Sequence, residues 1–140
     1  MDFQKNLLIY PMAFYVFWMF AVAIHLFRTR VRALKNREVS MKYFKSYTEN
    51  TLPEYSKVAE RHYENQFEVP TMFFPVGVMH FALGAANSYT LALMWLFVAA
   101  RVLHTFVHLG SNRVQVRMVF FMISWLAIVA LWAQMVYFVV

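Results

Sequence analysis

The chain contains no cysteine, so it has no disulfide and no thiolate of its own to offer. It has three glycines and four prolines, and neither an internal repeat nor a low-complexity segment. Acidic residues number only seven, and charged residues of both signs make up 14% of the chain. A soluble domain usually carries about 25% charged residues. That deficit argues against a water-soluble fold, whose helices need polar faces. The segment from Leu91 to Ala100 has none.

Hydrophobic residues are abundant, at 61%. They gather in four stretches, at about 7–27, 67–86, 89–109 and 116–139. Each is close to the roughly 20 residues that cross about 30 Å of hydrocarbon as a helix. The sequence therefore predicts an all-α membrane protein, a single domain built as a four-transmembrane-helix bundle. The first stretch lacks a basic region beyond Lys5 and a small-residue cleavage site, and three arginines follow it, so it reads as a retained anchor. Asn87-Ser88 and Gly110-Ser111-Asn112 are tight turns that make consecutive helices antiparallel neighbours. Pro53 opens a helix predicted to run into the second span unbroken, with Pro70 and Pro75 kinking it near its basic end.

Nine of the thirteen Lys and Arg lie in residues 28–64, and Arg113 and Arg117 flank the other loop on that side. The positive-inside rule puts both basic loops in the cytoplasm and both termini outside. The excess charge serves topology and contact with anionic lipid; it sits at membrane edges, and nucleic-acid binding is not expected.

The polar residues of the hydrophobic half fall at helical spacings. Arg61, Asn65 and Glu68 share one face, and Arg101, His104 and His108 share another. Arg28, Arg32 and Lys35 repeat the pattern after the first span, and Arg113 and Arg117 do so before the fourth. Four stripes at one level predict a wet, net-positive cavity for an anionic head group, open to apolar surroundings for a greasy co-substrate. Most of the Arg28–Arg37 run reads as a solvated flank. Glu68, the lone carboxylate of the hydrophobic part, is expected to form a structural ion pair with Arg101. His104 and His108 have metal-ligand spacing, but the third ligand would have to be Glu68, already committed to Arg101, so no metal is expected. His25 and His80 lie at different depths, which disfavours paired haem ligation.

Two segments carry a family resemblance. Arg61-His-Tyr-Glu-Asn65-Gln-Phe-Glu68-Val-Pro70, followed by Phe73-Phe74, resembles the second-helix signature of the MAPEG family, the membrane-associated proteins in eicosanoid and glutathione metabolism. Arg101-Val-Leu-His104-Thr105, Leu109-Gly110 and Arg117 resemble its third- and fourth-helix signature. The likeness is close over residues 58–120 and is most similar to a bacterial branch, which implies an inner-membrane location. It also implies a homotrimer that binds glutathione between protomers near the cytoplasmic face. Its members conjugate or reduce lipophilic small-molecule substrates, or bind lipid without catalysis. By resemblance Arg61, Asn65 and Glu68 hold the tripeptide, with Glu68 meeting its ammonium. Arg117 matches an arginine placed near the sulfur, where a cation raises the thiolate fraction. Arg117 is thus the expected catalytic residue, with Arg28, Arg32, His104, His108 and Arg113 as further ligand contacts from the positive cavity. The chain departs from the pattern where some members have Tyr at the place of His108, and Ser and Tyr at the places of Met118 and Phe121. Two hydroxyl donors to a thiolate are therefore missing.

A cytoplasm-dependent reporter tests the topology. Fused to the C-terminus it should stay silent, and inserted in the 28–64 loop it should be active. Activity at the C-terminus would invert the assignment.

Overall fold

A computed structural model describes residues 3–46 and 52–140, and among them all regular structure is helical. Helix α1 (Phe3–Leu7) leads into α2 (Ile9–Lys35), and a short helix α3 (Tyr43–Ser46) follows. The step at Leu8 follows from Pro11, which has no N–H to give the carbonyl of residue 7 and whose ring crowds that turn. The pair still forms one apolar segment, Lys5–Lys35, long enough to cross a membrane. Ser88–Leu109 (α6) and Val114–Val139 (α7) are two more. Many large apolar side chains on these helices face outward, Phe17, Phe27, Phe106 and Leu126 among them. A water-soluble protein does not tolerate such surfaces, and a lipid-facing one requires them.

The expected second span is the element that differs. The helix opened by Pro53 is α4 (Glu54–Glu64), and it stops there. Two 3-10 turns, Asn65–Phe67 and Val69–Met72, replace its continuation, and α5 (Phe73–Leu83) resumes for eleven residues. Pro70 removes the donor that the residue-66 carbonyl would need, and Glu68, at φ −87° and ψ −96°, leaves the helical region between the two turns. The predicted kink is therefore a break. Thr71 covers part of the cost by donating its hydroxyl to the Glu68 carbonyl. At about 17 Å, α5 alone is shorter than the hydrocarbon layer.

Both expected turns are present. Asn87 caps α6: its side-chain oxygen accepts from the Thr90 amide at 2.9 Å, and Thr90 returns the bond to the Asn87 amide. Gln134 near the far end of α7 donates to Thr90 at 2.8 Å, so α6 and α7 lie antiparallel along their length. Between them Gly110 leaves no room for a side chain, since a Cβ would stand 2.7 Å from the Phe106 carbonyl oxygen. Asn112 then turns at φ 48°.

The core lies where α2, α5, α6 and α7 meet. Phe73 and Phe97 stack at 4.3 Å, and Tyr15 approaches both edge-on. At the basic end α4 runs back along α2. Arg30 pairs with Glu60 at 2.6 Å, and Tyr55 donates to Glu38 one helix step further out. This joint holds α4 over the end of the bundle.

Gly77 lets α5 approach its neighbours: a Cβ there would lie 2.9 Å from both Met12 Sδ and Met94 Cε. Methionine ends yield, and alanine gains about 1 kcal/mol of helix propensity, so Gly77→Ala should change stability little. Gly77→Leu cannot be absorbed and should cost about 3 kcal/mol, read as a clear drop in melting temperature in detergent.

Candidate functional site

Among the described residues Arg101 is the largest fully buried side chain. It projects from α6 toward the break in the second span. Its Nη2 donates to the backbone oxygen of Asn65 at 2.9 Å and to Asn65 Oδ1 at 2.8 Å, and its Nε reaches the Tyr15 hydroxyl at 3.4 Å. The expected pair with Glu68 is not formed within the chain. Glu68 is exposed, and Asn65 stands between them, donating Nδ2 to Glu68 Oε2 at 3.0 Å. Among the described residues the one ion pair is Arg30–Glu60. The reason is the helix break: a continuous helix would have carried Glu68 round to the face of Arg61, whereas the 3-10 turns deliver Asn65 instead.

Beside Arg101 lies a buried polar network. Tyr15 donates to Gln66 Oε1 at 2.7 Å, and the Gln66 amide nitrogen meets His62 Nε2 at 3.1 Å. His62 Nε2 also contacts Thr105 Oγ1 at 3.0 Å, and Trp18 donates to the same oxygen at 3.2 Å. His62 Nδ1 faces His108 Nδ1 at 3.1 Å, and the His62 and His104 rings stack. Burial pushes the His62 pKa down to about 3, with the neighbouring His108 and His104 and then Arg101 adding to the effect. The ring is neutral at physiological pH.

Of these side chains, His104 and His108 reach the wall of a cavity of about 310 Å³. Arg61, Asn65, His104, His108 and Arg117 line it together with Asn112, and Val58, Met118 and Phe121 supply an apolar side. Arg117 donates to Asn112 Oδ1 at 3.0 Å, while His104 Nδ1 donates to the Arg117 carbonyl at 3.1 Å, so the start of α7 is tied to α6. No described carboxylate lines this cavity, which leaves the charge of Arg61 and Arg117 free to meet an anion. A second cavity of about 350 Å³ shares His108 and Asn112 with the first and is lined by Arg32, Thr29 and Tyr55.

Five of the sequence-predicted residues thus share the first cavity: Arg61, Asn65, His104, His108 and Arg117. Arg32 borders the second, with its guanidinium over the Tyr55 ring at 5.0 Å. Arg28, Glu68 and Arg113 are exposed and line neither. His25 is exposed on α2, and His80 is buried in α5 with Nδ1 donating to the Val76 carbonyl at 2.8 Å. The sequence alone did not single out Tyr15, His62, Gln66 or Thr105. One signal was present: His62 and Gln66 repeat the four-residue offset of Arg61 and Asn65 one position on.

Long apolar helices packed around a cationic, half-apolar cavity define a multi-pass integral membrane protein. The MAPEG family model matches residues 8–137, and the chain belongs to that family. Comparison with curated proteins and with solved structures gives no match.

Asn65, not Glu68, accepts from Arg101 Nη2, and the two roles separate by mutation. Asn65→Leu strips a buried cation of an acceptor and should cost about 2–3 kcal/mol. Glu68→Ala removes an exposed charge and should fall within about 0.5 kcal/mol of the parent. Equal losses in thermal unfolding would restore the direct Glu68–Arg101 pair.

Proposed function

We propose that this MAPEG protein is a glutathione-dependent transferase or peroxidase acting on lipophilic electrophiles. The observation that carries the reading is one cavity wall that combines Arg61, Asn65 and Arg117 with apolar Val58, Met118 and Phe121. A charged tripeptide and a greasy co-substrate need those two kinds of surface side by side. Arg61 suits a glutathione carboxylate, and Asn65 and Asn112 suit its amides. Arg117 stabilises the thiolate, whose sulfur attacks the electrophilic carbon as the leaving group departs with the bonding pair. Glu68 lies outside the cavity in a single chain and meets the ligand's ammonium only across a subunit boundary, which is consistent with a homotrimer. In this reading the 3-10 turns and α5 together make the second of four spans. Their broken backbone is tolerable at membrane depth because it is buried against α2 and α6. The protein is then placed in a bacterial inner membrane with both termini outside and the cavity at the cytoplasmic face.

Met118 and Phe121 favour a second reading. Both line the cavity beside Arg117, and neither offers a hydroxyl to a thiolate. A non-catalytic lipid or small-molecule binding protein on the same scaffold has no need of one.

Calorimetry with glutathione, and conjugation of a generic aryl halide by purified protein, separate the two. Catalysis predicts binding and turnover, with Arg117→Leu lowering turnover about 10²-fold while the protein stays folded, as for loss of one electrostatic stabiliser. Arg117 is only half-buried at the first turns of α7, so the fold does not depend on its charge. Absence of glutathione binding would leave the lipid-binding reading.

A further inference from the structure

His62, His104 and His108 come from two separate helices and are all buried. One ring nitrogen of each lies within 4.8 Å of one ring nitrogen of the other two. The sequence set metal binding aside because His104 and His108 lacked a third ligand. The break after α4 supplies one: it ends the helix with His62 turned inward against Thr105 and His108.

The hydrogen bonds say which nitrogen of His104 is free. A carbonyl oxygen only accepts, so the bond from His104 to the Arg117 carbonyl places the hydrogen on His104 Nδ1. The lone pair of the neutral ring is then on Nε2. That atom is buried and has no partner, although an acceptor without a donor carries a desolvation cost. A ligating histidine is commonly oriented in this way, with its other nitrogen donating to a backbone carbonyl. Between His62 and His108, two Nδ1 atoms meet at 3.1 Å, and one must carry a hydrogen to bond the other. Thr105 Oγ1 donates to the Arg101 carbonyl at 2.9 Å and can therefore accept from His62 Nε2. With the hydrogen on Nε2, the Gln66 amide nitrogen 3.1 Å from that atom gives its hydrogen to the His62 carbonyl, also at 3.1 Å, and His62 Nδ1 presents a lone pair; an ion then takes the place of the hydrogen between the two rings, and that hydrogen moves to His108 Nε2. No proton need leave the protein.

We propose that His62, His104 and His108 form a binding site for a single first-row transition-metal ion of the zinc class, with its fourth position open to the cavity lined by Arg61 and Arg117. Tetrahedral zinc with bonds of about 2.0–2.1 Å sets its ligand nitrogens roughly 3.3–3.4 Å apart. The His62–His108 edge is already near that spacing, and the other two must close by at most about 1.4 Å, within reach of ring rotations. Arg101 and Arg117 oppose a bare dication. They equally favour an anion on the metal's open position, so the bound species is the ion together with hydroxide or another anion from the cavity. Three neutral imidazoles with one open position are also the ligand set of zinc sites that activate a bound water or hydroxide. The site does not depend on the glutathione reading, and its test uses no thiol.

Tag-free protein in detergent, stripped with a chelator, is titrated with Co²⁺ alone. One equivalent per chain should give the intense visible absorption of tetrahedral cobalt, and Zn²⁺ should displace it. His104→Gln removes the unpartnered nitrogen and should weaken binding at least tenfold, with helix content and elution volume unchanged. Should that variant not fold, Cu²⁺ bound to the wild-type protein answers the same question, because its nitrogen hyperfine pattern counts the imidazoles. Three support the site; one or none overturns it. Absence of Co²⁺ uptake by folded wild-type protein, or full uptake by folded His104→Gln, overturns it as well.

Discussion

A guanidinium with no carboxylate beside it is the constraint around which this molecule is arranged. Arg101 is wholly buried in α6, and the nearest acceptors are dipoles: a backbone oxygen and an amide oxygen of Asn65, and a phenol of Tyr15. Moving a charge out of water costs several kcal/mol even after relaxation, and neutral acceptors return part of it only when their geometry is fixed. Fixing them takes three helices. Tyr15 comes from α2, Asn65 from the end of α4, and the whole is pressed together by the Phe73–Phe97 stack. Pro70 belongs to the same solution. By ending α4 it leaves the last carbonyls of that helix without α-helical donors, and a buried cation can use such a carbonyl.

What the sequence made legible followed from length and spacing. Apolar runs at 89–109 and 116–139 are long enough that only a membrane span accommodates them, and α6 and α7 match them within a few residues. Turns at Asn87 and Gly110 were visible because only a few residue types cap helices or accept so close a backbone approach. The cavity residues Arg61, Asn65, His104, His108 and Arg117 were visible because four-residue spacings put polar atoms on common faces. Depth and rotation were not legible. Spacing says that Glu68 shares a face with Arg61 only while the helix continues, and it stops at Glu64. Spacing also says nothing of which face of α4 turns inward. Arg61 stays exposed while His62, one residue on and about 100° around, is buried.

Charge explains why the cavity is where it is. Arg61 and Arg117 approach it from different helices, and within one chain no described carboxylate reaches its lining. Proteins seldom leave cations so grouped without an anion to receive. His62 beside them stays neutral because burial lowers its pKa, where a protonated ring would add to the repulsion. Positive and neutral nitrogen donors therefore divide the wall between attraction of an anion and coordination chemistry.

The first long helix has one more consequence. Lys5–Lys35 spans 31 residues, roughly 46 Å of helix against about 30 Å of hydrocarbon. Its last turns stand in water, and α4 is fastened to that overhang at Arg30–Glu60. A helix anchored at one end in lipid and clamped at the other behaves as a lever. Tilting it to suit a thinner or thicker bilayer displaces the clamped end most. That end carries Arg61, His62 and Asn65, so the lipid around this protein has a mechanical grip on the shape of its cavity.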